Sequence, residues 1–240
     1  MAVNFENCEL KIGNEIIERI GNNCKTKFFK FVGIHLDEFT NWSYQINHVH
    51  AKLASANYAI SSTKNFLPRK IRLTLYNSLF RSHMEFGILA WGGLSSNKLK
   101  KIINTQKKCI RNVAGKGYRS HTDPINSSLG ALKFTDLFQY HCSTFMHAYH
   151  NNKLPESFKN VFTPLAQPNR TNSYKLENLK KDYLSHHPTY LLPKTWNANC
   201  QSLKDTVNST SFKNKLKELI LATYPPVVKC NSQSCPDCKK

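Results

Sequence analysis

The chain has 240 residues, with 34 Lys+Arg against 15 Asp+Glu and a formal net charge of +19. Its 40% hydrophobic content can bury a sizeable core and excludes a disordered tail, while nine Gly and ten Pro exclude a fibre or a linker. The longest strongly apolar stretch, Phe86 to Leu94, is about half of what a membrane-spanning helix needs, and Met1 to Glu6 lacks the charged-then-apolar order of a secretory signal. The expectation is a soluble intracellular protein, nuclear or cytoplasmic, without a membrane partner.

Residues 9–36 read as β. Glu9 to Ile12, the turn pair Gly13-Asn14 and Glu15 to Ile20 form a hairpin pattern, and Lys27 to Leu36 reads as one buried strand, with Gly33 allowing a bulge. After Asp37 the period changes from two to near 3.6. Ile46, Val49, Leu53, Ala56 and Ile60 line one face of a long helix, and Pro68 opens a second whose face is read as Ile71, Leu75, Leu79 and Phe80. Gly87 and Gly92-Gly93 interrupt the next apolar stretch.

A third helix, about Asn97 to Ala114, has the clearest pattern. Leu99, Ile102, Ile103, Gln106, Ile110 and Val113 share one face, and Lys100, Lys101, Lys107, Lys108 and Arg111 share an arc of about 120° opposite. A flexible basic turn with Lys116 and Arg119 follows. A fourth helix is expected from Thr135 to His150, with Leu137, Tyr140, His141, Phe145 and Ala148 inward. Residues 151–175 read as an irregular connection, then come a short helix near Leu176 to Leu184 and a final one from Thr210 to Ala222. The fold class is α+β, predominantly α: a short N-terminal hairpin sheet and a helical bundle. Four segments result: 1–40 (β), 41–150 (basic, helical), 151–224 (connection and C-terminal helices) and 225–240 (a cysteine-containing tail).

The charge is concentrated. Residues 1–40 hold five Lys/Arg and six Asp/Glu, whereas residues 51–120 hold fourteen Lys/Arg and a single acid, Glu85. Such a field attracts polyanions, nucleic-acid phosphates above all. Signatures of catalysis are missing: six Asp are scattered along the chain, with no phosphate-binding Gly-rich loop and no His-Glu-x-x-His pair. Cys230, Cys235 and Cys238 have metal-like spacing but make only three of the four ligands a structural zinc takes. Cys200 as a distant fourth ligand and plain thiols are both open readings.

From Lys30 onward the chain resembles the region just after the catalytic palm of reverse transcriptases from non-LTR retrotransposons, the jockey-like and related LINE-type elements. The residues that carry the likeness are Lys30-Phe31-Val32-Gly33-Ile34-His35-Leu36-Asp37, then Trp42, Ile46 and Val49-His50-Ala51-Lys52-Leu53. Further along come Leu73-x-Leu75-Tyr76-x-Ser78-Leu79, Phe86-Gly87-Ile88-x-x-Trp91-Gly92 and Gln106-Lys107-Lys108-Cys109-Ile110-Arg111. Trp196-Asn197 and Ser211-Phe212-Lys213-x-x-Leu216-Lys217 resemble the C-terminal part of these elements.

The resemblance implies a primer grip at Phe31, Gly33, Leu36 and Asp37, then a thumb that tracks a template–primer duplex through its phosphates. Lys100, Lys101, Lys107, Lys108, Arg111, Lys116 and Arg119 would make the nucleic-acid contacts, to RNA, DNA or a hybrid. The family's Tyr-x-Asp-Asp motif and its partner Asp are not in this sequence, so the chain by itself is not expected to synthesise DNA. No cofactor is expected: magnesium belongs to a complete family polymerase, and zinc enters only through the cysteine tail. Two rival readings are a degenerate mobile-element product with at most a protein-interaction role, and a subunit that completes a palm-bearing polymerase in trans.

Overall fold

The computed structural model describes residues 10–12 and 15–17 by their backbone, and residues 21, 27–165, 173–176 and 185–225 in full. The chain divides into two compact units, residues 1–48 and 49–240. The fold is α+β and mainly helical, and no helix among the described residues is long and apolar enough to cross a membrane.

In the first unit, β1 (Leu10–Ile12) pairs antiparallel with β2 (Glu15–Ile17), as the hairpin pattern predicts; the turn pair Gly13-Asn14 lies outside the described residues. The run Lys27 to Leu36 is not one strand. It folds into a second hairpin, β3 (Phe28–Phe31) with β4 (Ile34–Asp37), in the register Phe31↔Ile34. The reason lies at Val32-Gly33, where φ is +46° and +84°. Positive φ at both central residues is the turn that matches strand twist in a two-residue hairpin, and Gly33 supplies one of them without steric cost. Nor is the run buried, since Phe28 to Phe31 are all exposed. His35 is the inward residue of β4. Its backbone N–H donates to Gln45 Oε1 at 3.0 Å, and its ring packs on Phe28 and His48 with centroids 4.9 and 4.5 Å away.

Helix α1 (Ser43–Ser62) starts in this unit and continues into the second, and Ile46, Val49, Leu53, Ala56 and Ile60 are all buried as their spacing predicts. Next come α2 (Arg69–Leu75), a π-helical turn (Tyr76–Arg81) and α3 (Ser82–Glu85), which run on without a break in helical backbone. Of the face expected from Ile71, Leu75, Leu79 and Phe80 only Phe80 is buried: Ile71 and Leu79 are exposed, Leu75 is half-buried, and the buried row is Arg72, Tyr76, Phe80 and Met84. In an α-helix each i+4 neighbour rotates by about 40°, so a row with uniform spacing of four drifts off the core. The wider π turn in the middle of the row counters that drift.

Helix α4 (Ile88–Trp91) is flanked by Gly87 and by Gly92, where a Cβ would lie 2.6 Å from the Ile88 carbonyl oxygen and 2.7 Å from the Phe138 ring. The glycine therefore permits a close approach between α4 and α7, which do pack together. Then come α5 (Ser96–Ala114), α6 (Thr122–Leu129) and α7 (Phe134–His150). They are followed by a 3₁₀ turn (Glu156–Phe158), α8 (Pro188–Asn197), α9 (Gln201–Lys204) and α10 (Ser209–Ala222). Helix α7 is the hub of the second unit and packs against α3, α4, α5, α8 and α10.

This central position corrects the inward set read for α7. Leu137 is buried, but Tyr140, His141, Phe145 and Ala148 are half-buried, whereas Phe134, Phe138, Cys142, Ser143, Met146 and His147 are buried. The polar members of that set have partners: Ser143 Oγ accepts from Asn199 Nδ2 at 3.1 Å, and His147 Nε2 donates to the Thr206 carbonyl at 2.7 Å. The described residues of 151–175 are irregular apart from the 3₁₀ turn and an isolated bridge, as expected of a connection, whereas α8 and α9 further on were not foreseen. Leu176 is not helical, and the rest of the helix expected to Leu184 lies outside the described residues.

Burial holds the His147 ring, stacked 4.1 Å from Phe212, below the usual imidazole pKa, against the Thr206 carbonyl that favours the charged form. The unfolded chain therefore takes up a proton near pH 6.5 while the folded chain resists it. His147 contributes stability that is present above that pH and is lost as the pH falls below it. Urea unfolding at pH 7.5 and 5.5 is expected to show a lower midpoint at the acid end. A midpoint that does not move would remove His147 from this account.

Candidate nucleic-acid interface

Helix α5 forms because one arc of its surface is apolar and the other solvated. Leu99, Ile102, Thr105, Gln106, Cys109, Ile110 and Val113 are buried, and Ile103 is half-buried. Gln106 is the polar member of that face. Its Nε2 donates to the Tyr76 hydroxyl at 3.1 Å and the Leu132 carbonyl at 2.9 Å, and its Oε1 accepts the Phe134 N–H at 2.8 Å. One amide thereby ties α5 to the π turn and to the start of α7. Burial pushes the Tyr76 phenol well above its usual pKa, so it stays neutral in this contact.

The C-terminus of α5 is fixed twice. Gly115, at φ +70°, closes a Schellman motif in which its N–H reaches the Asn112 carbonyl and the Lys116 N–H reaches that of Arg111. Arg72, only 8% exposed, donates from Nη1 to the Asn112 carbonyl at 3.1 Å and to the Lys64 carbonyl at 3.2 Å. The negative helix end takes the place of a carboxylate counter-ion.

On the opposite arc Lys100, Lys101, Lys107 and Lys108 are exposed, and among the described residues none of them is ion-paired with a carboxylate. Glu85, the single acid of residues 51–120, is engaged elsewhere: Arg81 Nε lies 2.7 Å and His141 Nε2 3.1 Å from its Oε1. Burial by itself would raise the Glu85 pKa, but His141 and Arg81 outweigh it and hold the carboxyl below its usual value.

Arg111 has a different role from the four lysines. It is half-buried, donates from Nε to the Ser120 carbonyl at 2.8 Å, and lies 5.7 Å from the Tyr118 ring centroid. It folds the 115–120 loop onto the helix end, and Lys116 and Arg119 of that loop are exposed. The α5 lysines and the loop cations thus belong to one continuous stretch of the second unit. Along the axis, Lys100 and Lys107 are about 10 Å apart, the rise of about three phosphates on one strand.

Phe31, Gly33, Leu36 and Asp37 all belong to the β3–β4 hairpin of the first unit. Phe31 is 59% exposed, Gly33 makes the turn, Leu36 is half-buried, and Asp37 Oδ1 accepts the Asn41 N–H. Cys230, Cys235 and Cys238 lie outside the described residues, and Cys200 is exposed. Among the described residues no group of three or more His, Cys, Asp or Glu is placed to hold a metal.

Beside the basic arc, sequence reasoning overlooked a cavity of about 250 Å³ lined by Ile103, Lys107, Asp123, Asn126, Lys133 and Phe134 among others. Asn126 is 4% exposed, and its Oδ1 is buried without a hydrogen-bond donor among the described residues. The sequence signal available was weak: one Asn inside a short helix. Comparison of the chain with family models, with curated proteins and with solved structures finds no match.

Proposed function

We propose that this chain binds nucleic acid through the sugar-phosphate backbone, without reading sequence, on the exposed arc of α5 and the loop that follows it, and that it does so without catalysing a reaction. The observation that carries the reading is the set of four exposed lysines, free of carboxylate partners among the described residues, on a helix seated by a largely buried opposite face. The helix holds the four ammonium groups on one side, and the counterions that phosphates release on meeting them favour binding. The resemblance to the thumb region of non-LTR retrotransposon reverse transcriptases points to a template–primer duplex as the partner, held alongside a palm-bearing polymerase.

Four phosphate contacts imply a log K against log salt slope of about −3 to −4 on duplex DNA. Anisotropy titrations of a labelled duplex between 50 and 200 mM salt are expected to give that slope; a slope near zero, or no binding at the low end, would reject the proposal.

A second reading attaches to a different observation. On the β3–β4 hairpin, Phe29 is 51%, Phe31 59% and Val32 73% exposed, an apolar surface of the kind that marks contacts with other proteins. If that surface drives association, the double substitution Phe29→Ser and Val32→Ser yields a smaller particle by light scattering and leaves duplex affinity unchanged. An unchanged size removes the hairpin from consideration.

A further inference from the structure

The loop that closes α5 presents an aromatic ring that the core does not bury. Tyr118 is 76% exposed, yet the segment carrying it is fastened at both ends. At the start, the Lys116 N–H donates to the Arg111 carbonyl at 2.9 Å. At the finish, Ser120 is buried; its carbonyl accepts from Arg111 Nε at 2.8 Å, and its N–H donates to the Gly117 carbonyl at 3.2 Å. Arg111 backs one face of the ring, its guanidinium carbon 5.7 Å from the centroid, a cation–π distance. Gly117 beside it adds no side chain that could cover the other face, which is left for a flat partner.

The surroundings of the ring narrow the choice of partner. Lys116 and Arg119 flank it, both are exposed, and among the described residues neither is paired with a carboxylate. No Asp or Glu stands between Glu85 and Asp123 in the sequence. An apolar protein surface would strip water from these charges and give nothing back, whereas a nucleotide brings a phosphate for the cations and a π-face for the ring. On α5, Arg111 stands in angle between Lys107 and Lys108 and about 6 Å beyond Lys107 along the axis, so the ring closes the same row of cations. Within a duplex each base face is covered by its neighbours, and only an unpaired nucleotide offers one.

We infer that Tyr118 is a stacking platform for a base of single-stranded nucleic acid, with Lys116 and Arg119 on the adjoining phosphates. The ring lies between the base and the Arg111 guanidinium. Every base has a π-face, so the platform is indifferent to sequence. This inference rests on the backbone-binding reading above and extends it from paired to unpaired strands.

The test is anisotropy at low salt with three probes: a thymidine single strand, a strand of equal length and charge built of abasic sugar-phosphate units, and a blunt duplex. The thymidine strand is expected to bind on the order of tenfold more tightly than the abasic one. Tyr118→Ala is expected to remove that gain and to leave the abasic strand and the duplex unchanged. Tyr118→Phe is expected to keep the gain, because the ring and not the hydroxyl does the stacking. Equal affinities for the two single strands in the unmodified chain overturn the platform, and with the duplex still bound they leave backbone binding standing; binding of none of the probes overturns both. A gain that survives Tyr118→Ala places the stacking elsewhere and overturns the assignment. A loss of equal size on all three probes makes Tyr118 a support of the loop and overturns it as well.

Discussion

Combining Lys100→Glu, Lys101→Glu, Lys107→Glu and Lys108→Glu is expected to lower duplex affinity by at least about a thousandfold at 50 mM salt, below detection in an ordinary titration. Each change removes a phosphate partner and adds a repelling carboxylate, and the formal net charge falls from +19 to about +11. The fold should survive, because all four side chains are exposed and surface changes cost little stability. A control separates position from overall charge: Lys213→Glu with Lys215→Glu, also exposed but on α10, should weaken binding only modestly. Equal losses for the two sets would mean that the whole molecular field does the binding and α5 has no special part. Arg111 is left out of the set because it fastens the 115–120 loop, and changing it would confuse folding with binding.

Arg72→Met is expected to be the most damaging single change to stability, by about 2–4 kcal/mol, or a fall in melting temperature of roughly 5–12 °C. The guanidinium is buried and serves two carbonyls, that of Lys64 just beyond α1 and that of Asn112 in the last turn of α5. Methionine fills the volume but leaves both oxygens without a donor in a place water does not reach. Arg72→Lys, which keeps the charge but not the fork, should recover part of the loss. Thermal melting of the three proteins checks this, and a melting point unchanged in Arg72→Met would show that the carbonyls find other partners. Because the same bond fixes the end of α5, Arg72→Met should also weaken duplex binding at temperatures where the fold survives.

The helical pattern of α5 was legible because one arc is mostly apolar and the other mostly charged, with Asn104 among the cations, so a single 3.6 period describes both. In α1 the apolar arc alone carries the period, against a polar arc with one lysine. The face of α2 was not legible, because the row that turns inward begins with an arginine and its spacing fits no uniform helix; only the π turn makes Arg72, Tyr76, Phe80 and Met84 neighbours. Helix α7 misled for the opposite reason: surrounded by other helices, it buries most of its girth, and the large aromatics Tyr140 and Phe145 sit at the edge of that surface. Helix α8 carries prolines at 188 and 193, a residue type that ordinarily interrupts a helix, although Pro188 sits in the first turn where its missing N–H costs nothing. At the site, the cations could be counted from sequence, but not the diversion of Arg111 to Ser120. Asn126 gave only a weak signal, since what distinguishes it is an amide oxygen with no donor among the described residues, and only coordinates report that.

The π turn also sets where this chain tolerates a change of length. The intervals along its core-facing row are four, four and four; losing one solvent-facing residue, Asn77 or Ser78, would make them four, three and four, the rhythm of an uninterrupted α-helix. A one-codon deletion at that place would therefore preserve the phase of everything downstream, whereas the same deletion inside α5 would swing its lysines toward the interior.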